Sequence, residues 1–258
     1  MAHPNFLLNS RTLVIGGSSG LGFAVASGAL SNGSNVHITS VTAEKLSAKI
    51  AQLQSLYSGA HVSGSVADLS NTKTLEATLQ SVLDAAVKET GKALDHIVYT
   101  AGDSFRPVPL AELTATTTLS RFTVRYLGPL LVGKLVAANP GKYLSPAASS
   151  SITLTSGILA HRPRRGVFTV SAAGALEAAT RGLAVELAPI RVNVVIPGAV
   201  RTELLDRLTK GNPDIYKDAN LTKEVGSAAG AAEAYLFSMR STLATGQGIT
   251  IDSGYSLV

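Results

Sequence analysis

Thr12-Leu13-Val14-Ile15-Gly16-Gly17-Ser18-Ser19-Gly20-Leu21-Gly22 is the stretch on which the reading of the whole chain turns. Residues 12–15 form a short apolar, β-branched run that reads as a buried strand, and the spacing from Leu21 onward reads as a helix. Glycines stand between them at 16, 17, 20 and 22. Glycine lets the backbone turn tightly there and approach neighbours at distances a Cβ would forbid. A strand–turn–helix unit of this kind leaves free N–H groups at the helix start, with the positive end of the helix behind them. The spacing G-G-x-x-G-x-G therefore points to a pyrophosphate cradle for a dinucleotide, formed by Gly16, Ser18, Ser19, Gly20, Leu21 and Gly22.

Outward from this unit, short apolar runs alternate with longer segments of helical spacing. Strands are expected at 12–15, 35–39, 61–66, 96–100, 151–155, 191–195 and 248–252. Helices are expected at 21–31, 43–57, 71–90, 119–138 and 170–187, with Thr42 as an N-cap and Asn32-Gly33 and Gly91 as stop signals. Most strands are nearly continuous apolar runs, as in a parallel sheet covered on both faces. Strands alternating with helices imply right-handed crossovers. The fold expected is a three-layer, doubly wound α/β Rossmann fold with a seven-stranded parallel sheet, as one domain over 1–258. The least regular stretch, 203–225, contains Gly211, Asn212 and Pro213 and reads as a lid or as an ordinary surface excursion.

Composition narrows the chemistry. The 258 residues include no Cys, which excludes disulfides, thiolate metal sites and a Cys nucleophile. Net charge is +5, but Lys and Arg are scattered, clustering only at Arg162-Pro163-Arg164-Arg165 with no aromatic platform. An anionic cofactor or substrate group accounts for that balance, and no nucleic-acid partner is expected. No run approaches the roughly 18 apolar residues of a membrane span, and the N-terminus lacks a signal-peptide pattern. A soluble, cytoplasmic protein without a membrane partner is expected. His3, His37 and His96 show no metal-ligand spacing, so no metal is expected.

The glycine spacing, with several segments downstream, resembles the short-chain dehydrogenase/reductase family. Asp68 and Leu69 in Val66-Ala67-Asp68-Leu69 match the segment whose acid accepts from the adenine amino group. Ala101-Gly102 matches the tail of the family's Asn-Asn-Ala-Gly motif, with Tyr99 and Thr100 replacing both asparagines. Pro197-Gly198-Ala199-Val200-Arg201-Thr202, following Arg191-Val192-Asn193, matches the segment that holds the nicotinamide carboxamide through the Val200 backbone and Thr202. Thr245-Gly246-Gln247, residues 249–252 and Gly254 match the last strand. The resemblance runs from about Thr12 to Val258. It implies a nicotinamide cofactor, a small-molecule substrate and a homo-oligomer, for which the apolar segments 119–138 and 170–187 are candidate interfaces.

Charge bears on which cofactor. A carboxylate at the end of the second strand would bond the ribose 2′-hydroxyl and repel a 2′-phosphate. Here that end reads Thr39-Ser40-Val41-Thr42, with no acid before Glu44. Ser40 and Thr42 are suited to accept a phosphate and Lys45 to neutralise it, so NADP(H) is favoured over NAD.

The resemblance stops at the chemistry. Ser156 in Thr155-Ser156-Gly157 matches the catalytic Ser of the family, but the positions of its Tyr and Lys hold Thr169 and Ala173, and Arg125 stands at the Asn position. Thr169 is far too weak an acid to replace a phenol, and Ala173 has no amine. Hydride addition to a carbonyl leaves an alkoxide that needs a proton, whereas addition to an iminium leaves a neutral amine that does not. These losses, with Arg125 and the basic loop 160–166, resemble an atypical branch that includes fungal bifunctional reductase/Diels–Alderases of prenylated indole alkaloid pathways. That group also uses an Asp in the loop after the Ser strand, for which 157–166 offers no acid.

Two readings stay open. One is an NADP(H)-dependent reductase of an imine- or iminium-type secondary-metabolite intermediate, with Ser156, Arg125 and His161 in its site and an associated ring closure such as a Diels–Alder step. The other is a non-redox cyclase with bound cofactor as part of its wall, or a degenerate nucleotide-binding protein. Tyr99 and Tyr126 offer phenols from new directions, although packing is the simpler role for each.

Overall fold

The computed structural model describes residues 4–102, 108–164 and 167–258, and the side chains of 167–170 are not among those described. His3, Arg165 and Gly166 lie outside the described residues, as does the side chain of Thr169. Strands β1 (Arg11–Ile15), β2 (Asn35–Ser40), β3 (Val62–Val66), β4 (His96–Tyr99), β5 (Ser151–Thr155), β6 (Arg191–Pro197) and β9 (Gly248–Ile251) form one sheet in the order 3-2-1-4-5-6-9, every pair parallel. The expected doubly wound architecture is what the chain adopts. Two-residue strands β7 (Val200–Arg201) and β8 (Gly226–Ser227) pair separately.

Strand alternation sorts side chains between two layers. Leu13, Ile15, Ile97, Tyr99, Ile152, Leu154, Val192 and Val194 point to one face, under helices α3 (Leu75–Thr90), α5 (Gly128–Ala138) and α6 (Val167–Glu186). Val14, Ile38, Val98 and Val195 point to the other, under α1 (Gly20–Ser31), α2 (Ala43–Leu56) and α8 (Ala228–Arg240). The carboxyl ends of all seven strands thus open on one edge, where ligands bind in such sheets.

Three segments differ from the sequence expectations. The helix expected at 119–138 is broken into α4 (Ala115–Ser120), a π-helical turn (Thr123–Leu127) and α5. The 71–90 segment starts its helix only at Leu75, after a turn at 71–74. Helix α8 was not anticipated at all. Its exposed stripe carries Ala229, Gly230 and Phe237 beside Glu233, so the Ala-rich sequence shows little polar contrast between its faces, and Gly28 of α1 takes Leu236 of α8 so closely that a Cβ there would stand 2.9 Å from Leu236 Cδ1. The 203–225 excursion contains α7 (Glu203–Leu208) and a 3₁₀ turn (Pro213–Tyr216).

Buried polar groups tie the layers together. Arg191 on β6, 3% exposed, has no carboxylate among its described partners and donates instead to the carbonyls of Ala148 (2.6 Å), Ser238 (2.6 Å), Met239 (2.9 Å) and Ala244 (3.3 Å). It therefore closes the C-terminal end of α8, where helix carbonyls lack backbone partners and favour a cation. On β2, His37 sits between Ser63 and Ser65 Oγ at 2.8 Å each, and on β4 His96 meets Ser151 Oγ at 2.9 Å. Burial lowers the pKa of both rings to about 4.

Two outcomes follow from these groups. A histidine held neutral in the fold charges freely once unfolded, so the unfolded chain binds more protons between pH 6.5 and 4. Stability is therefore complete above about pH 6.5 and falls toward pH 4, by up to roughly 3 kcal/mol per ring. Urea unfolding between pH 7.5 and 4.5 should show this slope, and His37→Gln should flatten part of it; an unchanged slope in that variant would contradict the assignment. Arg191→Met should lower unfolding stability by roughly 2–3 kcal/mol, since the lost cation leaves helix-end carbonyls unpaired.

Candidate active site

The first crossover shows why glycine is required. Gly16 (φ +90°) lies so close to the β4 end that an added Cβ would stand 2.7 Å from Ala101 N. At Gly22 a Cβ would fall 2.2 Å from the Gly16 carbonyl oxygen and 2.4 Å from Thr100 Oγ1. At Gly17 it would meet Ile38 on β2 at 2.7 Å. Thr39 Oγ1 accepts from the Gly16 N–H at 2.8 Å and fixes the turn. Ser18 is buried, and Ser19 is the extended N-cap of α1 with no side-chain capping bond; the helix has no acid in its first turn. The start of α1, at Gly20, Leu21 and Gly22, therefore keeps its free N–H groups and positive end available for an anion, which fits a dinucleotide pyrophosphate.

Other expected cofactor residues gather around this turn. Thr202 caps α7 by accepting from Leu205 N (3.3 Å), and its methyl group would lie 3.3 Å from a Cβ at Gly20. The segment through Val200, which is buried, is thereby drawn over the glycine turn. At Gly198, after Pro197, a Cβ would collide with Asp252 Cα at 2.7 Å, so the backbone crosses closely behind β9. Ala101 and Gly102 leave β4 beside the turn.

The adenosine side is less uniform. Asp68 is exposed and accepts from Ser70 N at 2.9 Å, which, with a side-chain bond from Ser70, holds its carboxyl below the usual range; Leu69 next to it is buried. Thr42 Oγ1 is taken up in capping α2 through Lys45 N (3.3 Å). Lys45 is half-buried and lies 3.9 Å from Glu203. Ser40 is buried and its Oγ is closed off from the surface, with no hydrogen-bond partner among the described residues, so it does not face the place where a phosphate was expected to meet it.

Arg125 sits in the π-helical turn, and the sequence dictates that turn. Gly128 N–H reaches back five residues to the Thr123 carbonyl, and Pro129 has no N–H to offer the carbonyl of Val124. The Tyr99 hydroxyl supplies the missing donor at 2.8 Å, and a Cβ at Gly128 would stand 2.1 Å from that oxygen. Tyr99 is 2% exposed, which assigns it to support and not to proton transfer. Tyr126 packs edge-on against Phe122, at 5.7 Å between ring centres. The wider turn carries the Arg125 guanidinium onto Gly102, where a Cβ would meet it at 2.6 Å.

Ser156, just past β5, belongs to a constellation that sequence reasoning missed. Its hydroxyl donates to Glu177 Oε1 at 2.6 Å, with the Ala173 carbonyl a second acceptor at 3.3 Å. The other carboxylate oxygen, Oε2, takes the His161 Nε2–H at 2.8 Å. Glu177 lies one helical turn beyond Ala173, on the same face of α6, so it leans back toward Ser156 across the small alanine. The only signal in the sequence is the i, i+4 spacing of Ala173 and Glu177.

The arginines of the basic loop are engaged within the protein. Arg162 donates to the Tyr255 carbonyl at 2.5 Å and lies 4.2 Å over its ring. Arg164 donates to the Tyr255 hydroxyl at 2.6 Å and lies 5.1 Å over Tyr216 of the 203–225 excursion. These arginines pin loop, excursion and C-terminus together. Among the described residues, no His, Asp or Glu cluster could hold a metal, and no helix is long and apolar enough to cross a membrane.

Comparison with known proteins agrees with this geometry. The family model of the SDR-like Rossmann domain matches residues 3–258. Short-chain dehydrogenase/reductase ATR9 of Stachybotrys chlorohalonatus is 37% identical, over 94% of this chain and 95% of that protein. Short-chain dehydrogenase/reductase malC of Malbranchea aurantiaca is 34% identical, over 98% and 97%. The solved structure of the MalC reductase/Diels–Alderase from that fungus superposes with a TM-score of 0.91 at 32% identity, covering 98% of this chain and 99% of that one. A short-chain dehydrogenase from Burkholderia cenocepacia, in complex with NADP, gives a TM-score of 0.83 at 28% identity, covering 96% and 98%. With the glycine crossover in place and the family model matching nearly its full length, the chain belongs to the short-chain dehydrogenase/reductase family of SDR-like Rossmann domains.

Proposed function

We propose that the protein is an NADP(H)-dependent reductase of an imine- or iminium-type intermediate in secondary metabolism. The observation that carries this reading is the replacement of the family's phenol and ammonium by Thr169 and Ala173, with no phenol substituted: Tyr99 is buried on the Val124 carbonyl. Bound NADPH supplies a hydride. The protein's share is to hold the pyrophosphate on the α1 N-terminus, hold the carboxamide segment at Val200 and Thr202, and orient the substrate beside Ser156 and Arg125. Hydride arriving at an iminium carbon sends the C=N electron pair to nitrogen and yields a neutral amine, so no proton donor is required.

NADP(H) is favoured by the end of β2, which has no carboxylate, and by Lys45 in the first turn of α2. The NADP complex of the B. cenocepacia relative points the same way. His161, at the rim with its ring on Glu177, is assigned to the substrate side. A homo-oligomer is proposed through the outer face of α6, where Gly174, Ala178, Arg181 and Val185 are exposed at helical spacing.

A second reading has its own support, the similarity to the MalC reductase/Diels–Alderase. Ring closure of the reduced product in the same pocket would then follow the redox step.

Loss of NADPH absorbance is expected with cyclic imines and not with simple ketones; ketone turnover at comparable rates would overturn the imine reading. Cyclised product that forms equally well with NADP⁺ in place of NADPH would instead establish a non-redox cyclase. Gly22→Ala should weaken NADP⁺ binding about tenfold or more by calorimetry, because overpacking against the fixed Gly16 carbonyl displaces the turn. Gly174→Ala, where a Cβ meets nothing within 4 Å, should bind like the parent. Equal binding by the Gly22 and Gly174 variants would remove the turn from the site.

A further inference from the structure

We propose that Glu177 is a positioning residue that sets the hydrogen-bond polarity of Ser156, so that the pocket selects substrates donating an N–H over substrates offering a carbonyl oxygen. The inference deepens the imine reading and rests on it for the substrate class.

A serine hydroxyl has one hydrogen and two lone pairs. Here both described neighbours of Ser156 Oγ are acceptors, Glu177 Oε1 at 2.6 Å and the Ala173 carbonyl at 3.3 Å. The shorter, charge-assisted bond takes the hydrogen. What Ser156 retains for a ligand is lone pairs. A ketone oxygen needs a donor at that place and finds none in the hydroxyl, while a protonated imine or secondary amine brings its own N–H. The Ser156 hydroxyl is thus turned from a donor into an acceptor by a neighbour one shell away.

Three features hold the carboxylate in this role. Ala173 leaves room on the helix face, and a long side chain there would compete for the same volume. His161 donates to the second oxygen at 2.8 Å and fixes the plane of the group. The Glu177 side chain is only 14% exposed, so its charge is poorly screened and favours a cation nearby. His161, 44% exposed, stands between it and solvent.

The test compares affinities of the NADP⁺-loaded enzyme, by saturation-transfer NMR, for 1-pyrroline in its protonated, N–H-bearing form and for cyclopentanone of the same ring size. The parent should prefer the imine by about tenfold or more, the scale of a hydrogen bond to a charged group. Ser156→Ala and Glu177→Leu should bring the ratio toward one without altering NADP⁺ affinity. Glu177→Gln still offers Ser156 an acceptor oxygen but not the charge, and should retain part of the preference, between the parent and Glu177→Leu, which a merely structural role would not predict. Equal affinities in the parent, or a preference surviving Glu177→Leu, would overturn the inference. Imine preference without NADPH turnover would sink the reductase reading and leave this one standing; turnover without preference would do the reverse.

Discussion

The crossing of Gly22 beneath Gly16 is the constraint from which the rest of the site is built. The two backbones approach so closely that a methyl group at 22 would overlap the carbonyl at 16 and the Thr100 hydroxyl together. That crossing brings the ends of β1 and β4 to the start of α1, and Ile38 behind Gly17 adds the end of β2. An anion held there is bonded by amides that have no competing side-chain cap. Everything attached to the anion then acquires a fixed address along the carboxyl edge of the sheet.

From that edge a second chain of necessity runs through Pro129. Because proline cannot donate, the helix widens into a π turn, and the orphaned Val124 carbonyl is met by the Tyr99 phenol. Tyr99 is in turn held from below, since Thr155 Oγ1 donates to its carbonyl and accepts from the Tyr235 hydroxyl of α8. The placement of Arg125 over Gly102 therefore depends on a proline, a glycine and two tyrosines, none of which would be suspected from its own chemistry. Arg162 and Arg164 show the opposite economy, their charge being satisfied by the rings and oxygens of Tyr255 and Tyr216.

How much of this was legible depends on whether the cause is local. Strand runs such as 12–15 and 191–195 and the glycine spacing carry their reason in adjacent residues, and the parallel, doubly wound sheet followed from alternating strands and helices. The π turn was hidden inside 119–138 because apolar spacing continues through it, and only Pro129 marks where the hydrogen-bond register shifts. Helix α8 was hidden because its exposed stripe, Ala229, Gly230, Glu233 and Phe237, is mostly small or apolar and so lacks the polar face on which periodicity is read. Glu177 was hidden for a third reason: its partners, Ser156 and His161, lie 21 and 16 residues away in sequence and meet it only after α6 packs beside β5.

The position of Glu177 changes the meaning of the missing Tyr and Lys. In the family pattern the Lys would place a positive charge on this face of the helix, near the ribose and the serine. Here alanine removes that charge, and the next residue on the same face contributes a carboxylate, partly buried and bonded to the serine itself. The local electrostatic sign is reversed. On the proposed reading, a site so arranged disfavours the alkoxide that carbonyl reduction builds up, since a developing negative oxygen beside Ser156 would face the Glu177 carboxylate with no proton on offer from the serine. A substrate that begins as a cation and ends neutral meets the reverse balance, stabilised on arrival and released once its charge is gone. Loss of the usual residues therefore reads as a change in the charge the pocket is built to meet, with Glu177 as the residue that makes the difference.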